Sequence, residues 1–245
     1  MQIKIPYTPR KHQAYLHREI SRFRWNVLVC HRRFGKTVCM INHLIRSALL
    51  SKHKNPRFAY IAPTFKQAKS IAWDYMKQFT AKIPHTKFNE TELRVDLPNG
   101  SRITLLGSEN SDGLRGIYLD GCVIDEYANV NERLFPEIIR PALSDRKGYC
   151  VFIGTPQGMN NNFYELYQHA QGAEDWFNYK AKASETKIVD EEELTKAKEV
   201  MGEKKYLQEF ECDWIANIEG AIYADVLADL ENKKQIARVP YDPSL

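Results

Sequence analysis

No stretch of this chain is apolar for long enough to cross a bilayer, and the opening Met1-Gln2-Ile3-Lys4-Ile5-Pro6 holds no apolar core of a secretory signal. Neither a membrane-spanning helix nor a signal peptide is expected. Cysteine is sparse. The five residues are odd in number and show no paired metal-ligand spacing, which sets aside a disulfide scaffold and a zinc module. Cys30, Cys122 and Cys150 fall in or beside apolar runs, where cysteine acts as a small hydrophobe. A reducing, cytosolic setting is the expectation. Net charge is small: +4, with a pI near 8.7, is compatible with nucleic acid without being diagnostic of it. The local basic groups, Arg22 with Arg24 and Lys52 with Lys54 and Arg57, read as solvated helix ends and loops. No internal repeat is present. What the chain does have is size. Its 245 residues, 43% of them hydrophobic, can bury the core of one α/β domain, or of one domain with an appendage.

The most informative segment is His31-Arg32-Arg33-Phe34-Gly35-Lys36-Thr37. It follows the apolar run Val27-Leu28-Val29-Cys30 and precedes a helical pattern with Val38, Ile41, Leu44, Ile45 and Leu49 as apolar positions. Strand, loop and helix in that order form the context of a phosphate-binding loop. There, backbone N–H groups and a helix N-terminus face a polyphosphate. Lys36 would reach the β- and γ-phosphates, and the Thr37 hydroxyl would ligate Mg²⁺. One element is missing: Cys30 stands where such loops usually carry their first glycine.

A second motif, Cys122-Val123-Ile124-Asp125-Glu126, reads as a buried parallel strand ending in two carboxylates. Ligands of open α/β sheets bind at that carboxyl edge. Asp125 would hold the Mg²⁺ hydration shell, and Glu126 would orient or deprotonate the attacking water. The two motifs together favour a nucleotide hydrolase over an ordinary strand and turn.

The rest of the chain alternates strands and helices. Helices are expected at 11–23, 37–50, 65–80 and 161–170, and strands at 26–30, 57–62, 150–154 and near 177–182. A hairpin is expected between Leu93–Leu97 and Arg102–Leu106 around Pro98-Asn99-Gly100, with a polar loop at 107–116. The fold class is α/β, with a mostly parallel sheet flanked by helices. From about 184 the composition shifts to Lys, Glu and Ala, with peripheral helices near 190–200 and 203–212. The expected division is a core at 1–183, a small helical lid at 184–215 and a linker at 216–245. The aromatic residues Tyr60, Phe65, Trp73 and Tyr75 read as packing. Trp176, Phe177, Tyr206 and Trp214 read as packing the peripheral helices on the core.

At this point the chain resembles the large terminase subunit of tailed bacteriophages, the motor that packages viral DNA. The resemblance spans nearly the whole chain. It rests on Arg32 three places before Gly35, and on the helicase-like segment Tyr60-Ile61-Ala62-Pro63-Thr64-Phe65-Lys66-Gln67-Ala68. It rests also on Leu114-Arg115-Gly116 some ten residues before Asp125, on Gly154-Thr155-Pro156, which is similar to the family's coupling motif, and on Gln13, which looks like its adenine-reading glutamine.

The resemblance implies a RecA-like P-loop ATPase that binds ATP and Mg²⁺ and drives double-stranded DNA into a procapsid. Glu126, Arg32 and Arg115 would be catalytic, with Arg115 delivered to a neighbouring subunit. Gln13, Arg33, Phe34, Gly35, Lys36, Thr37, Val38 and Thr155 would contact nucleotide, and Thr37 and Asp125 the metal. Two placements stay open on the residues alone: Arg115 as a loop arginine bridging carboxylates, and Arg33 as a structural or DNA-contacting residue. The implied partners are double-stranded DNA, portal protein, the small terminase subunit and further copies forming a ring, in host cytoplasm at the procapsid. Family members usually continue into an RNase H-type nuclease, and this chain stops first, so no cutting activity is expected of it. Two rival readings remain. A helicase-like ATPase would need a second RecA-like core, and a non-hydrolysing nucleotide-gated module would not need the Asp125-Glu126 pair.

Overall fold

The apolar runs assemble into one sheet whose carboxyl edge gathers the two motifs. The computed structural model describes residues 5–215 and Leu230; the expected linker at 216–245 therefore lies, Leu230 apart, outside the described residues. The strands are β1 (Trp25–Cys30), β2 (Arg57–Ala62), β3 (Lys87–Asn89), β4 (Arg94–Asp96), β5 (Arg102–Gly107), β6 (Gly121–Asp125), β7 (Tyr149–Gly154) and β8 (Trp176–Ala181). Their order is β3-β4-β5-β2-β6-β7-β1-β8. From β5 to β8 every pairing is parallel, and β3 and β4 add an antiparallel margin.

Helices α1 (Lys11–Ile20) and α2 (Lys36–Leu50) cover one face, together with a helical stretch over 65–80. The opposite face is covered by Asn162–Gly172 and by a π-helical turn, Leu134–Ile139, that runs into Arg140–Ala142. Each central strand serves both faces by alternation: Leu28, Tyr60, Val123 and Val151 pack on one, Val29, Ile61, Ile124 and Phe152 on the other. Each such large side chain contributes roughly 1.5–3 kcal/mol by leaving water. This two-faced burial is why the strands read as continuous apolar runs.

Most expected elements appear within one or two residues of their boundaries, and the differences have local causes. Helix α1 stops at Ile20 because Ser21 closes a last turn. The stretch over 65–80 is helical but holds a π-helical segment at Ala68–Trp73. The hairpin forms with Val95 opposite Ile103, and β3 joins it as a short edge strand too exposed to carry an apolar signal. The polar loop at 107–116 is in part a 3₁₀ segment, Ser108–Leu114. The helical run Leu134–Ala142 has no counterpart among the expected elements; Pro136 sits in its first turn, where a missing N–H costs little.

After β8 come three short helices, Ala183–Thr186, Glu191–Met201 and Glu203–Phe210, with a small apolar cluster of their own around Leu194 and Phe210. Tyr206 belongs to that cluster, stacked on Phe210, and does not pack on the core as expected. Trp214 does pack on it, against Phe163, Tyr164 and Tyr167. Phe65 and Tyr75 are exposed at 38% and 39%, whereas Tyr60 and Trp73 are core.

Candidate active site

Between the end of β1 and the start of α2 the chain must turn tightly, and Gly35 makes this possible with φ 87°. A side chain there would also meet Gln13 Nε2 at 2.9 Å. Arg33 adopts φ 72°, a second left-handed residue within the loop. The outcome is a row of open donors. The N–H groups of Arg33, Gly35, Lys36, Thr37 and Val38 donate to nothing among the described residues. The last three are the first-turn amides of α2, which no helix can satisfy internally. Such a cradle at a helix N-terminus suits an anion. Phe34 takes no part through its side chain, which is fully buried in the core. Val38 is half-buried and contributes its amide.

Strand order explains how the second motif reaches the loop. β7 lies between β1 and β6, so Cys30, Thr155 and Asp125-Glu126 end side by side. Lys36 Nζ donates to Thr155 Oγ1 at 2.8 Å and to the Cys30 carbonyl at 3.3 Å, and lies 3.9 Å from Glu126 Oε1. Cys30 thus supplies a carbonyl where a first glycine was expected. Asp125 is buried. It accepts a hydrogen bond from Tyr60 OH, and its Oδ1 accepts the Glu126 N–H at 2.9 Å. Burial raises the Asp125 pKa, opposed by Tyr60 and Lys36. Glu126 is raised too, by burial first and then by Asp125 and Glu209, against the Lys36 cation. Glu126 sits at φ 46°, a strained conformation for a side-chain-bearing residue that turns the chain sharply off β6.

Lys36, Glu126 and Thr155 face a polar cleft of about 340 Å³. One wall holds Arg32, Lys36, Glu126 and Thr155; the other holds Lys205, Gln208 and Glu209 from the helix Glu203–Phe210. Gln208 is 2% exposed and donates to the Pro156 carbonyl at 2.6 Å. Arg32 N–H donates to the Glu209 carbonyl at 2.7 Å, and its guanidinium lies 3.9 Å from the Glu209 carboxylate. The sequence held no signal for these three residues, which arrive through tertiary closure alone. A larger, mainly apolar cavity of about 610 Å³ between α1 and α2 holds none of the loop or carboxylate groups.

Two expected residues stand apart from the cleft. Gln13 is buried under the loop, where its Nε2 donates to the Gly35 carbonyl at 3.3 Å and its Oε1 accepts the Arg10 N–H at 3.0 Å. Arg10 Nη1 braces the Phe34 carbonyl in the same way at 3.3 Å. Arg115 lies outside the cleft and pairs with Glu137 at 3.5 Å on the exposed surface.

The donor set also suits a hard cation. The Thr37 hydroxyl and the Asp125 carboxylate meet at Tyr60 OH, which interacts with both. Among the described residues no cluster of three His, Cys, Asp or Glu side chains could hold a metal. These oxygens, together with substrate phosphates, are the ones that could hold a Mg²⁺ ion. No helix among the described residues is long and apolar enough to cross a membrane.

Several known proteins are similar to this chain. A family model described as the N-terminal part of the terminase large subunit, T4-like-virus type, matches residues 29–225. The large terminase subunit of Thermus phage G20c is 27% identical over 182 residues, covering 66% of this chain and 36% of that protein. The chain thus spans well under half the length of that relative. Among solved structures, the large terminase ATPase domain of Thermus phage P74-26 superposes with a TM-score of 0.73 at 22% identity, covering 86% of this chain and 96% of that one. The large terminase of another thermophilic bacteriophage, in complex with ATP-gamma-S, gives 0.70 at 14% identity, covering 84% and 52%. These likenesses fix the fold as a RecA-like P-loop α/β sandwich. The family model spans both motifs, and the chain belongs to the large terminase subunit family.

Proposed function

We propose that this chain is the ATP-hydrolysing part of a DNA-packaging motor. The observation that carries the reading is that Lys36, at the end of a loop with open amides, bonds Thr155 and lies 3.9 Å from Glu126, beside the buried Asp125 carboxylate. The amides of Arg33, Gly35 and the first turn of α2 hold the polyphosphate, with Lys36 as a point charge. Gln13 braces the Gly35 carbonyl from beneath the loop, and the adenine contact expected of it rests on the resemblance. Thr37 and Asp125 hold Mg²⁺, which when bound offsets charge on the phosphates. Glu126 aligns the attacking water and takes its proton. Arg32, and Arg115 from a neighbouring subunit, stabilise charge developing on the γ-phosphoryl group. Thr155, bonded to Lys36, relays phosphate loss through Pro156 to the helix Glu203–Phe210, which acts within a lid over 184–215. Double-stranded DNA is the moved substrate. Portal protein, the small terminase subunit and further copies in a ring are the partners, in host cytoplasm at the procapsid. The paired carboxylates favour turnover over a gated binding module.

Lys36→Ala should abolish tight ATP binding by removing a charge-assisted contact. Glu126→Gln should bind ATP nearly as the parent does and fail to hydrolyse it. Equilibrium binding and phosphate-release assays on both variants test the reading. A Glu126→Gln protein that hydrolyses at the parental rate would show that the assigned mechanism is wrong.

A further inference from the structure

The first residue after β1 is a histidine whose side chain is wholly shut inside the protein. His31 Nδ1 lies 2.6 Å from the Arg32 carbonyl oxygen, and Nε2 lies 2.8 Å from Thr186 Oγ1. A carbonyl only accepts, so Nδ1 carries the proton and Nε2 accepts from the Thr186 hydroxyl. Phe34 packs edge-on against the ring, with centroids 5.6 Å apart, and fixes its plane. Burial lowers the imidazole pKa, and Lys36 and His12 act in the same direction; the Arg32 carbonyl and Glu211 act against it. The ring therefore stays neutral and keeps this tautomer near neutral pH.

The consequence lies in the peptide that follows. The bond between Arg32 and Arg33 is trans, so its C=O and N–H point in opposite directions. Turning the Arg32 carbonyl to a buried ring aims the Arg33 N–H away from the interior, where it has no partner among the described residues. Flipped the other way, the same peptide would present a carbonyl oxygen to the bound anion. We infer that His31 is a positioning residue for nucleotide binding: its imidazole sets the 32–33 peptide with the N–H toward the polyphosphate and ties that peptide to the turn Ala183–Thr186. The inference rests on the reading of this loop as a nucleotide phosphate site.

Two substitutions separate the two arms of the ring. The amide nitrogen of asparagine falls near the place of Nδ1, and that of glutamine near Nε2. His31→Asn keeps a donor for the Arg32 carbonyl, and His31→Gln keeps only the reach to Thr186. Titration with ADP should give His31→Asn an affinity within about two-fold of the parent. His31→Gln should bind about ten-fold more weakly, the loss expected when one donor to a charged acceptor is misplaced. Thermal melting of both variants checks that each is folded. Lys36→Ala is titrated alongside. If Lys36→Ala loses affinity while His31→Gln binds like the parent, or while both His31 variants lose equally, the inference is overturned and the nucleotide reading stands. If Lys36→Ala binds like the parent, the nucleotide reading itself has failed. Nitrogen-15 NMR of the parent's histidines probes the geometry without nucleotide. A protonated Nδ1 with an unprotonated Nε2 at His31 supports the inference, and the opposite tautomer overturns it.

Discussion

Tyr60 shows how much one hydroxyl can decide. It is buried at 1% exposure, and its OH reaches the Asp125 carboxylate, which burial alone would drive toward protonation. Tyr60 and Lys36 both pull the Asp125 pKa back down. A carboxyl whose folded pKa is raised is easier to protonate in the folded state, so its ionisation costs stability as pH rises through that value. Tyr60→Phe removes the first of three compensations, the others being Lys36 and the Glu126 N–H. The acidic limb of the ATPase pH profile should move to higher pH, and the half-saturating Mg²⁺ concentration should rise. Urea melts at pH 8 should show a loss of about 1–3 kcal/mol, the cost of a buried acceptor left unpaired, with a smaller loss at pH 5. A pH–rate series with Mg²⁺ titrations checks both. An unshifted acidic limb with unchanged Mg²⁺ dependence would mean that Tyr60 is only packing, as its apolar setting in β2 first suggests.

At the scale of elements, the helix Glu203–Phe210 closes the cleft through its polar face. Gln208 holds the Pro156 carbonyl, and its Oε1 accepts from Lys205 Nζ at 3.1 Å. Gln208→Ala should leave that carbonyl buried and unpaired, costing about 1–3 kcal/mol in a urea melt. It should also weaken ADP binding, because the wall of the cleft loses its tether. Gln208→Glu gives the sharper comparison, since it keeps the shape but offers no donor to a carbonyl unless protonated; its melt should resemble that of Gln208→Ala. The same helix marks the limit of what the sequence discloses. Its existence was legible, since beyond about 184 the composition shifts to the helix formers Lys, Glu and Ala. Its place at the site was not, because Lys205, Gln208 and Glu209 match no motif spacing and meet the loop only when β8 returns beside β1. The loop and the Asp125-Glu126 strand were legible for the opposite reason. A strand, a glycine turn and a helix N-terminus are local events, and apolar runs ending in charge reveal the edge of a parallel sheet. The helical run Leu134–Ala142 carries two prolines, local signals that point away from a helix.

At the scale of the whole molecule, Arg115 is the residue whose proposed role needs more than one copy of the chain. It follows the 3₁₀ segment Ser108–Leu114 and precedes Gly116, which has φ 83° and open space around its α-carbon. Its guanidinium pairs with Glu137 at 3.5 Å, with side-chain exposures of 57% and 48%. An exposed pair of this kind is worth about 0–1 kcal/mol. An arginine inserted at a γ-phosphoryl group raises transfer rates by roughly 10³ to 10⁵ in GTPases. The second term far outweighs the first, so exchanging Glu137 for a neighbour's phosphate costs little against what it gains. The isolated chain should bind ATP and turn it over slowly, and the rate per subunit should rise with concentration. Arg115→Ala should remove that rise and leave nucleotide affinity unchanged. Mixing makes the decisive measurement. Glu126→Gln subunits lack the base but carry Arg115, and Arg115→Ala subunits carry the base but lack the arginine. Mixed assemblies should recover activity that neither variant has alone. Co-assembled mixtures that stay inactive would return Arg115 to the surface pair with Glu137 and leave charge stabilisation to Arg32.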